Sequence, residues 1–538
     1  MLVQVIVKMQ SSKMSFKNMV VAPHHLAAKT GSDILKEGGN AIEAMIASAA
    51  MISVVYPHMN SMGGDNFWLI SDKNNNVTAI DSCGGVAENA SREFYINQGY
   101  KSIPSRGPLA ALTVPGAVAG WKAAYDFSVK NFGGKLPISR LLYDAEQIAN
   151  EGVAVTNTLK NNLNSKLKQL IDIPGFKDVY LKNGKMPELG DKILFPAMSK
   201  TFSNLIKNGL DDFYSGEISK AIVSDLKKSG SPLTGSDFVN YKSTFVKPLE
   251  LKIKGAKLFN LPPPTQGIAS IMILGVLDNL NNVYDNDVSF IHNIVEATKV
   301  VFKIRDKYIC DPKYMEKDVN DFLTNDFIKD LSKNIDPNIS IPWPDAAVGG
   351  DTVWLGASDN YGNSVSFIQS IYWEFGSGLI LPKTGITMQN RGVSFSLDKN
   401  HFNKLIPGRK PFHTIQPALA HFDDGRVLSY GTMGGEGQPQ TQATIFSRYA
   451  YQNQNLQKAI NEPRWLLGKT WGDETTSLKI ENRFSSETIK KLKKTGHNIE
   501  IIDDFDEMMG HAGAIVRHSD NLVEGAYDQR SDGAAIGE

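Results

Sequence analysis

Cysteine is almost missing: Cys83 and Cys310 are the only two in 538 residues. Two thiols are too few for a disulfide framework and lack the paired spacing of a zinc site, so a reducing compartment is expected. Net charge is missing as well. Lys plus Arg and Asp plus Glu both number 57, which leaves no overall field to draw in nucleic acid, anionic lipid or a polycationic partner. Any charge selectivity has to be local. No apolar run reaches the roughly 20 residues of a membrane span. The longest, Ala41–Val55, contains Glu43, and the short run within residues 1–8 lacks a cleavage-site pattern. A cytoplasmic protein with neither a membrane nor a nucleic-acid partner is the expectation. Internal repeats and low-complexity tracts are absent too.

What is present is ordinary globular material, 41% hydrophobic and 21% charged, enough to build a sizeable core. The length admits two or three domains or one large globule, at about 100–200 residues per domain. Helical spacing over 27–35 stops at Gly38-Gly39-Asn40, and the nearly all-apolar helix that follows over 41–55 must be buried. Strand signals come at 66–70 and 77–80, and 114–127 reads as a helix opened by Pro115. The stretch 137–255, rich in Lys, Asn and Leu at helical spacing, is expected to form a helical cap on a central sheet, with its lysines solvated. Pro262-Pro263-Pro264-Thr265-Gln266-Gly267 marks a helix start before the apolar run 268–280. From 334 to 350 the composition turns to Pro, Asn, Asp and Gly, an exposed loop in which a chain break is tolerated. Strand-like runs at 352–358, 364–370 and 414–421 follow, with a Gly-rich loop at 431–437.

The chemistry concentrates after that loop. Thr352 begins a strand pattern, and Asp359-Asn360-Tyr361-Gly362-Asn363 supplies turn chemistry for a hairpin. A hairpin symmetric about Tyr361 sets Ser358 opposite Ser364 and Ser370 opposite Thr352, placing a second hydroxyl beside the first. A threonine hydroxyl needs a base, and a free α-amine on the same residue is suited to that role because its pKa is near 7.7–8.0. Thr352 acquires that amine only if its own hydroxyl attacks the Asp351 carbonyl and the resulting ester is opened by water; the flanking Gly349-Gly350 permits the backbone geometry this needs. Acyl transfer also needs oxyanion donors. Gly434-Gly435, in a turn without Cβ obstruction, are the candidates. Ser396 and Lys399 fit the Ser-x-x-Lys spacing of serine acylases, but so short a pattern recurs by chance. His24-His25 and the other histidines show no carboxylate or cysteine at ligand spacing and read as surface or core residues.

These residues resemble the γ-glutamyltransferase family of N-terminal nucleophile hydrolases. The similarity runs from MVVA at 19–22 to DQRSD at 528–532, with the stations in family order: DILKEGGNA at 33–41, Gly63-Gly64, VPGAVAG at 114–120, Pro262-Pro263-Pro264, Thr352, FGSG at 375–378 and Gly434-Gly435. The resemblance implies an α/β (α+β) fold, a four-layer αββα sandwich. It also implies autocleavage between Asp351 and Thr352 into a large subunit, 1–351, and a small subunit, 352–538, forming one globule. Thr352 would be nucleophile and base, Ser370 would stand where the family has a supporting threonine, and Gly434 and Gly435 would form the oxyanion hole. No metal or organic cofactor is implied. The partners are a small-molecule amide and the two subunits of one precursor, with a homo-oligomer of such heterodimers as a further possibility.

Substrate recognition departs from the family pattern. By motif position the arginine that grips a γ-glutamyl α-carboxylate is Cys83, the acidic residue for the α-amine is Ser394, the serine pair before the oxyanion loop is His413-Thr414, and the asparagine two residues past the supporting threonine is Tyr372. The lid insertion between Phe395 and Pro411 is short. A buried carboxylate wants a bidentate cation, and Arg391 is the arginine in these pocket positions. DTVW at 351–354, FIQS at 367–370 and QNRG at 389–392 are similar to the family branch that includes oxamate amidohydrolase. The expectation is an acyl-enzyme amide hydrolase or transferase for γ-glutamyl or related carboxylate-bearing amides. Alternatives are an oxamate-type amidohydrolase, a β-lactam side-chain acylase, or an uncleaved binding protein.

Overall fold

The computed structural model describes residues 11–343, 351–468 and 476–538. The 1–8 run, Gly349-Gly350 and the end of the loop read over 334–350 lie outside them. Two seven-stranded sheets make the centre. The first runs in the order Lys13–Ser15, Val523–Tyr527, Ala512–Arg517, Val427–Thr432, Ala418–Phe422, Ala256–Asn260, Leu249–Ile253. The second runs Ala534–Gly537, Met19–Ala22, Asp351–Ser358, Ser364–Tyr372, Asp65–Ser71, Val77–Ser82, Thr244–Val246. Every pairing within these two sheets is antiparallel.

Helices cover both outer faces, so the layers are αββα. On the second sheet lies Ala41–Val55, buried at all its positions because it is apolar on every side. Its start is fixed by a capping box in which Asn40 and Glu43 bond each other's backbone N–H groups. His25–Lys36 and Ala117–Asn131 flank it. On the first sheet lie Gly267–Asp278 and Gln438–Ala450, backed by Asp287–Tyr308. The helical cap expected over 137–255 forms from Ile138–Glu151 to Gly235–Val239 and joins the core under the second sheet. It stops earlier than expected. Thr244–Val246 and Leu249–Ile253 are edge strands of different sheets, and in the latter Leu249, Leu251 and Ile253 are buried while Glu250 and Lys252 face solvent, a period of two. Among the described residues no helix is long and apolar enough to cross a membrane.

The two sheets meet around Trp354, which packs with Met19, Val21, Ile515 and Val523. Its indole fits only because glycine stands opposite. A Cβ on Gly431 would come within 2.1 Å of Trp354 Cδ1, and one on Gly513 within 2.4 Å of Cζ3. Gly431→Ala is therefore an overpacking substitution, expected to lower the unfolding free energy by roughly 1–3 kcal/mol. Chemical denaturation measures it, and an unchanged midpoint would contradict this packing.

Candidate active site

Thr352 stands in the second position of Asp351–Ser358, a central strand flanked by Met19–Ala22 and Ser364–Tyr372. The hairpin pairs as expected from Ser358 opposite Ser364 to Val353 opposite Gln369. Then it slips. Asp351 pairs with Tyr372, a bulge in which Ser370 and Ile371 together oppose Thr352, so the expected one-to-one pairing of Thr352 with Ser370 is replaced by two residues against one. The following residue, Tyr372, takes φ 82°, a left-handed conformation unusual for an aromatic residue. Bulges re-aim side chains, and this one turns the end of the hairpin into the site.

Thr352, Ser370, Arg391 and His413 all have 0% exposure. Thr352 Oγ1 accepts from Gln438 Nε2 at 3.4 Å. Gln438 is the first residue of the helix Gln438–Ala450, directly after the turn holding Gly434 (φ 116°) and Gly435 (φ 48°). The candidate oxyanion loop thus runs into a helix N-terminus whose first side chain touches the nucleophile, which is where backbone N–H groups and the helix dipole favour negative charge.

Arg391 begins the 3-10 turn Arg391–Ser394 and reaches Ser370 Oγ (3.4 Å) and Thr414 Oγ1 (3.2 Å) through its two Nη atoms. Its guanidinium lies 3.9 Å from the Tyr372 ring centre. Burial lowers the guanidinium to about 10, so it stays charged at neutral pH. No carboxylate lies within ion-pair distance of it among the described residues, and its Nε has no hydrogen-bond partner there. The structure thereby gathers Ser370, Tyr372, Arg391 and Thr414. Ser394 shares the turn but makes no side-chain bond to them; its carbonyl accepts from Asn403 Nδ2 at 2.8 Å. Cys83 is buried nearby, its N–H bonded to Asp81.

Two groups were passed over in the sequence. Gln266, in the proline motif, donates to the Thr414 carbonyl (2.6 Å) and the Gly435 carbonyl (2.8 Å), and its Oε1 accepts from Arg305 (2.8 Å). One amide therefore links the Arg391 pocket to the oxyanion loop, backed by the buried ion pair of Arg305 with Glu436. Asp65 lies across the sheet from Ser370, in register with it, and accepts from the N–H groups of Gly116 (2.9 Å) and Gly84 (3.3 Å). His413 approaches Asp65 Oδ2 with Nε2 at 3.2 Å. Asp65 carried a signal, since it directly follows the quoted Gly63-Gly64.

The reading of the histidines needs one correction. His292 and Glu296, one turn apart on a helix, meet His497 with ligand-type atoms within 4.8 Å of one another. These atoms already have partners: His292 Nδ1 with His497 Nε2 (2.9 Å), His292 Nε2 with the Asp336 carbonyl (2.8 Å), His497 Nδ1 with Ser340 Oγ (3.2 Å), and Glu296 with Lys299 Nζ (2.7 Å). An ammonium bound to the carboxylate repels a second cation. The group serves better as a clamp on residues 336–341, which precede Thr352 in the chain, than as a metal site.

A family model described as gamma-glutamyltranspeptidase matches residues 27–538. The oxamate amidohydrolase proenzyme of Klebsiella pneumoniae is 48% identical over 98% of this chain and 100% of its own length. The glutathione hydrolase-like YwrD proenzyme of Bacillus subtilis is 37% identical over 98% and 100%. Among solved structures, cephalosporin acylase from Bacillus halodurans superposes with a TM-score of 0.90 at 29% identity, covering 98% of this chain and 97% of that one. The chain is an enzyme of the gamma-glutamyltranspeptidase family, with the αββα fold of the N-terminal nucleophile amide hydrolases.

Proposed function

We propose that the chain is a proenzyme that breaks itself between Asp351 and Thr352 and then hydrolyses a small amide bearing a neighbouring carboxylate, of the oxamate kind. In the first step Thr352 Oγ1 attacks the Asp351 carbonyl carbon, the C–N bond breaks, and water opens the ester to leave the Asp351 carboxylate and a free Thr352 amine. In turnover that amine takes the Oγ1 proton while Oγ1 attacks the substrate amide. The oxyanion sits against the Gly434 and Gly435 turn. The amine returns the proton to the departing ammonia, and water, deprotonated by the same amine, releases the acid from the acyl-enzyme. Fragments 1–351 and 352–538 stay together as one globule.

The observation that carries the substrate reading is the buried charge of Arg391, held one strand from Thr352 by Ser370 and Thr414 and lacking an ion-pair partner among the described residues. A buried guanidinium of this kind is completed by a carboxylate. A site with Thr352, Ser370 and Arg391 all closed to solvent also favours a small substrate. The similarity to an oxamate amidohydrolase supports the same reading. The test is a panel: processed protein with oxamate, with a γ-glutamyl anilide, and with a glutaryl amide of the β-lactam side-chain type, following ammonia or amine release. Oxamate is expected to be cut with the highest kcat/KM. Preference for the anilide would restore a γ-glutamyl specificity, and preference for the glutaryl amide an acylase.

A further inference from the structure

The reading of Arg391 as carboxylate grip leaves unexplained what balances its charge when the site is empty. Among the described residues, the buried carboxylate in the row formed with Thr352 and Ser370 is Asp65, one strand beyond Ser370 and in register with it. Its Oδ1 is engaged by two backbone N–H groups, while Oδ2 points to His413 Nε2 at 3.2 Å without hydrogen-bond geometry. Both of these atoms are fully buried and otherwise unpartnered among the described residues. A neutral imidazole carries one N–H, so this contact is made either by Nε2–H facing an ionised Oδ2 or by Oδ2–H facing a bare Nε2, and the two forms of the pair differ by one proton.

We propose that Asp65 and His413 share a proton whose presence leaves the Arg391 charge to the substrate carboxylate and whose loss cancels it, making this pair the determinant of affinity for anionic substrates. The proposal rests on the carboxylate reading of Arg391. Protonated, Asp65 Oδ2–H donates to His413 Nε2, satisfies both atoms and carries no charge. Ionised, it is a counter-ion for Arg391 and competes with the ligand.

The surroundings fit. Burial pushes the Asp65 carboxyl up to about 7, against the opposing pull of Arg391, the N–H groups of Gly116 and Gly84 and the side-chain amide of Gln389. Burial, then Arg391 and Lys410, hold the His413 imidazole well below its ordinary value, so the proton belongs on the carboxyl side. The other groups facing Asp65 do not supply charge near neutrality. Cys83, Tyr214 and Tyr241 are all pushed upward by burial and stay neutral, and Lys410 is committed to Asp81 at 2.6 Å. The sign follows: affinity for an anion is full below about pH 7, where Asp65 is protonated, and falls as the pH rises through that value, with the bound anion drawing a proton in.

Oxalate, the hydrolysis product of oxamate and constant in charge near neutral pH, is the probe. Titration calorimetry of oxalate into the processed protein at pH 7.5, in buffers of different ionisation enthalpy, counts protons taken up. The wild type is expected to take up between about 0.5 and 1 proton per oxalate, and its dissociation constant to rise up to about tenfold per pH unit above 7. Asp65→Asn, whose amide donates to His413 Nε2 without a charge, is expected to bind at the low-pH affinity of the wild type with a flat pH profile and no uptake. Oxalate binding to the wild type without proton uptake overturns the proposal. So does uptake that persists in Asp65→Asn, which would assign the proton to the Thr352 amine. Absence of oxalate binding altogether sinks the carboxylate reading of Arg391 as well.

Discussion

Replacing Thr352 by alanine is expected to leave the purified protein as a single band near its full 59.1 kDa and to lower amide hydrolysis by at least about 10,000-fold. In the proposed mechanism the hydroxyl is needed twice, once on the chain itself and once on the substrate, and the amine it exposes is the base. Both functions vanish with one atom. The unaltered protein is expected to give fragments of about 39 and 20 kDa, the residue shares of 59.1 kDa, with the smaller beginning at Thr352. Thr352→Ser keeps the hydroxyl and is expected to split and to retain measurable activity. An alanine variant that still splits at this position would show that some other nucleophile cuts the chain. Thr352 is fully buried and its hydroxyl accepts from Gln438, so alanine also leaves a small cavity and an unpaired donor, a cost of roughly 1–3 kcal/mol; a cooperative unfolding transition retained in the variant separates loss of chemistry from loss of the fold.

The second large effect is at Arg391. Arg391→Met keeps most of the side-chain length over the Tyr372 ring but removes the charge and the bonds to Ser370 and Thr414. Losing one member of a buried, hydrogen-bonded charge pair costs about 2–5 kcal/mol, or roughly 30- to 4,000-fold in kcat/KM for a carboxylate-bearing substrate. The loss should fall mainly on KM, since the carboxylate keeps its charge while the neighbouring carbonyl reacts and is gripped alike in the ground and transition states. Arg391→Lys is expected to recover part of it, limited by the loss of the planar fork. A methionine variant with wild-type KM for oxamate would remove Arg391 from substrate recognition.

The parts of this protein that local patterns could reveal were those governed by local physics. The Ala41–Val55 helix was legible because an unbroken apolar run has nowhere to go but the interior, and the Asn40-Glu43 cap marks its start within the sequence itself. The 351–372 hairpin was legible because the Asp359 to Asn363 turn fixes its register, and that register holds until Val353. The bulge beyond Val353 was not, since no turn residue marks it in the sequence. Leu249–Ile253 showed its alternation in the sequence but was absorbed into a helical reading of its Lys-rich surroundings. The family stations pointed to Thr352, Gly434 and Gly435. Gln266 stood inside a quoted motif and Asp65 directly after one, yet their roles depend on carbonyls and side chains more than a hundred residues away along the chain.

The strand order carries a mechanical consequence. Met19–Ala22 is threaded between Ala534–Gly537 and Asp351–Ser358, and the first sheet has one strand from before residue 351 at one edge and two at the other, while the four strands between them come from after it. A cut ahead of Thr352 would leave two polypeptides laced through both ladders, each supplying rungs the other lacks. Such halves have no seam along which dilution could part them, and neither carries a finished interior of its own. Pieces made separately would have to fold around each other from the outset, so the uncut precursor is the form in which the interlacing is assembled.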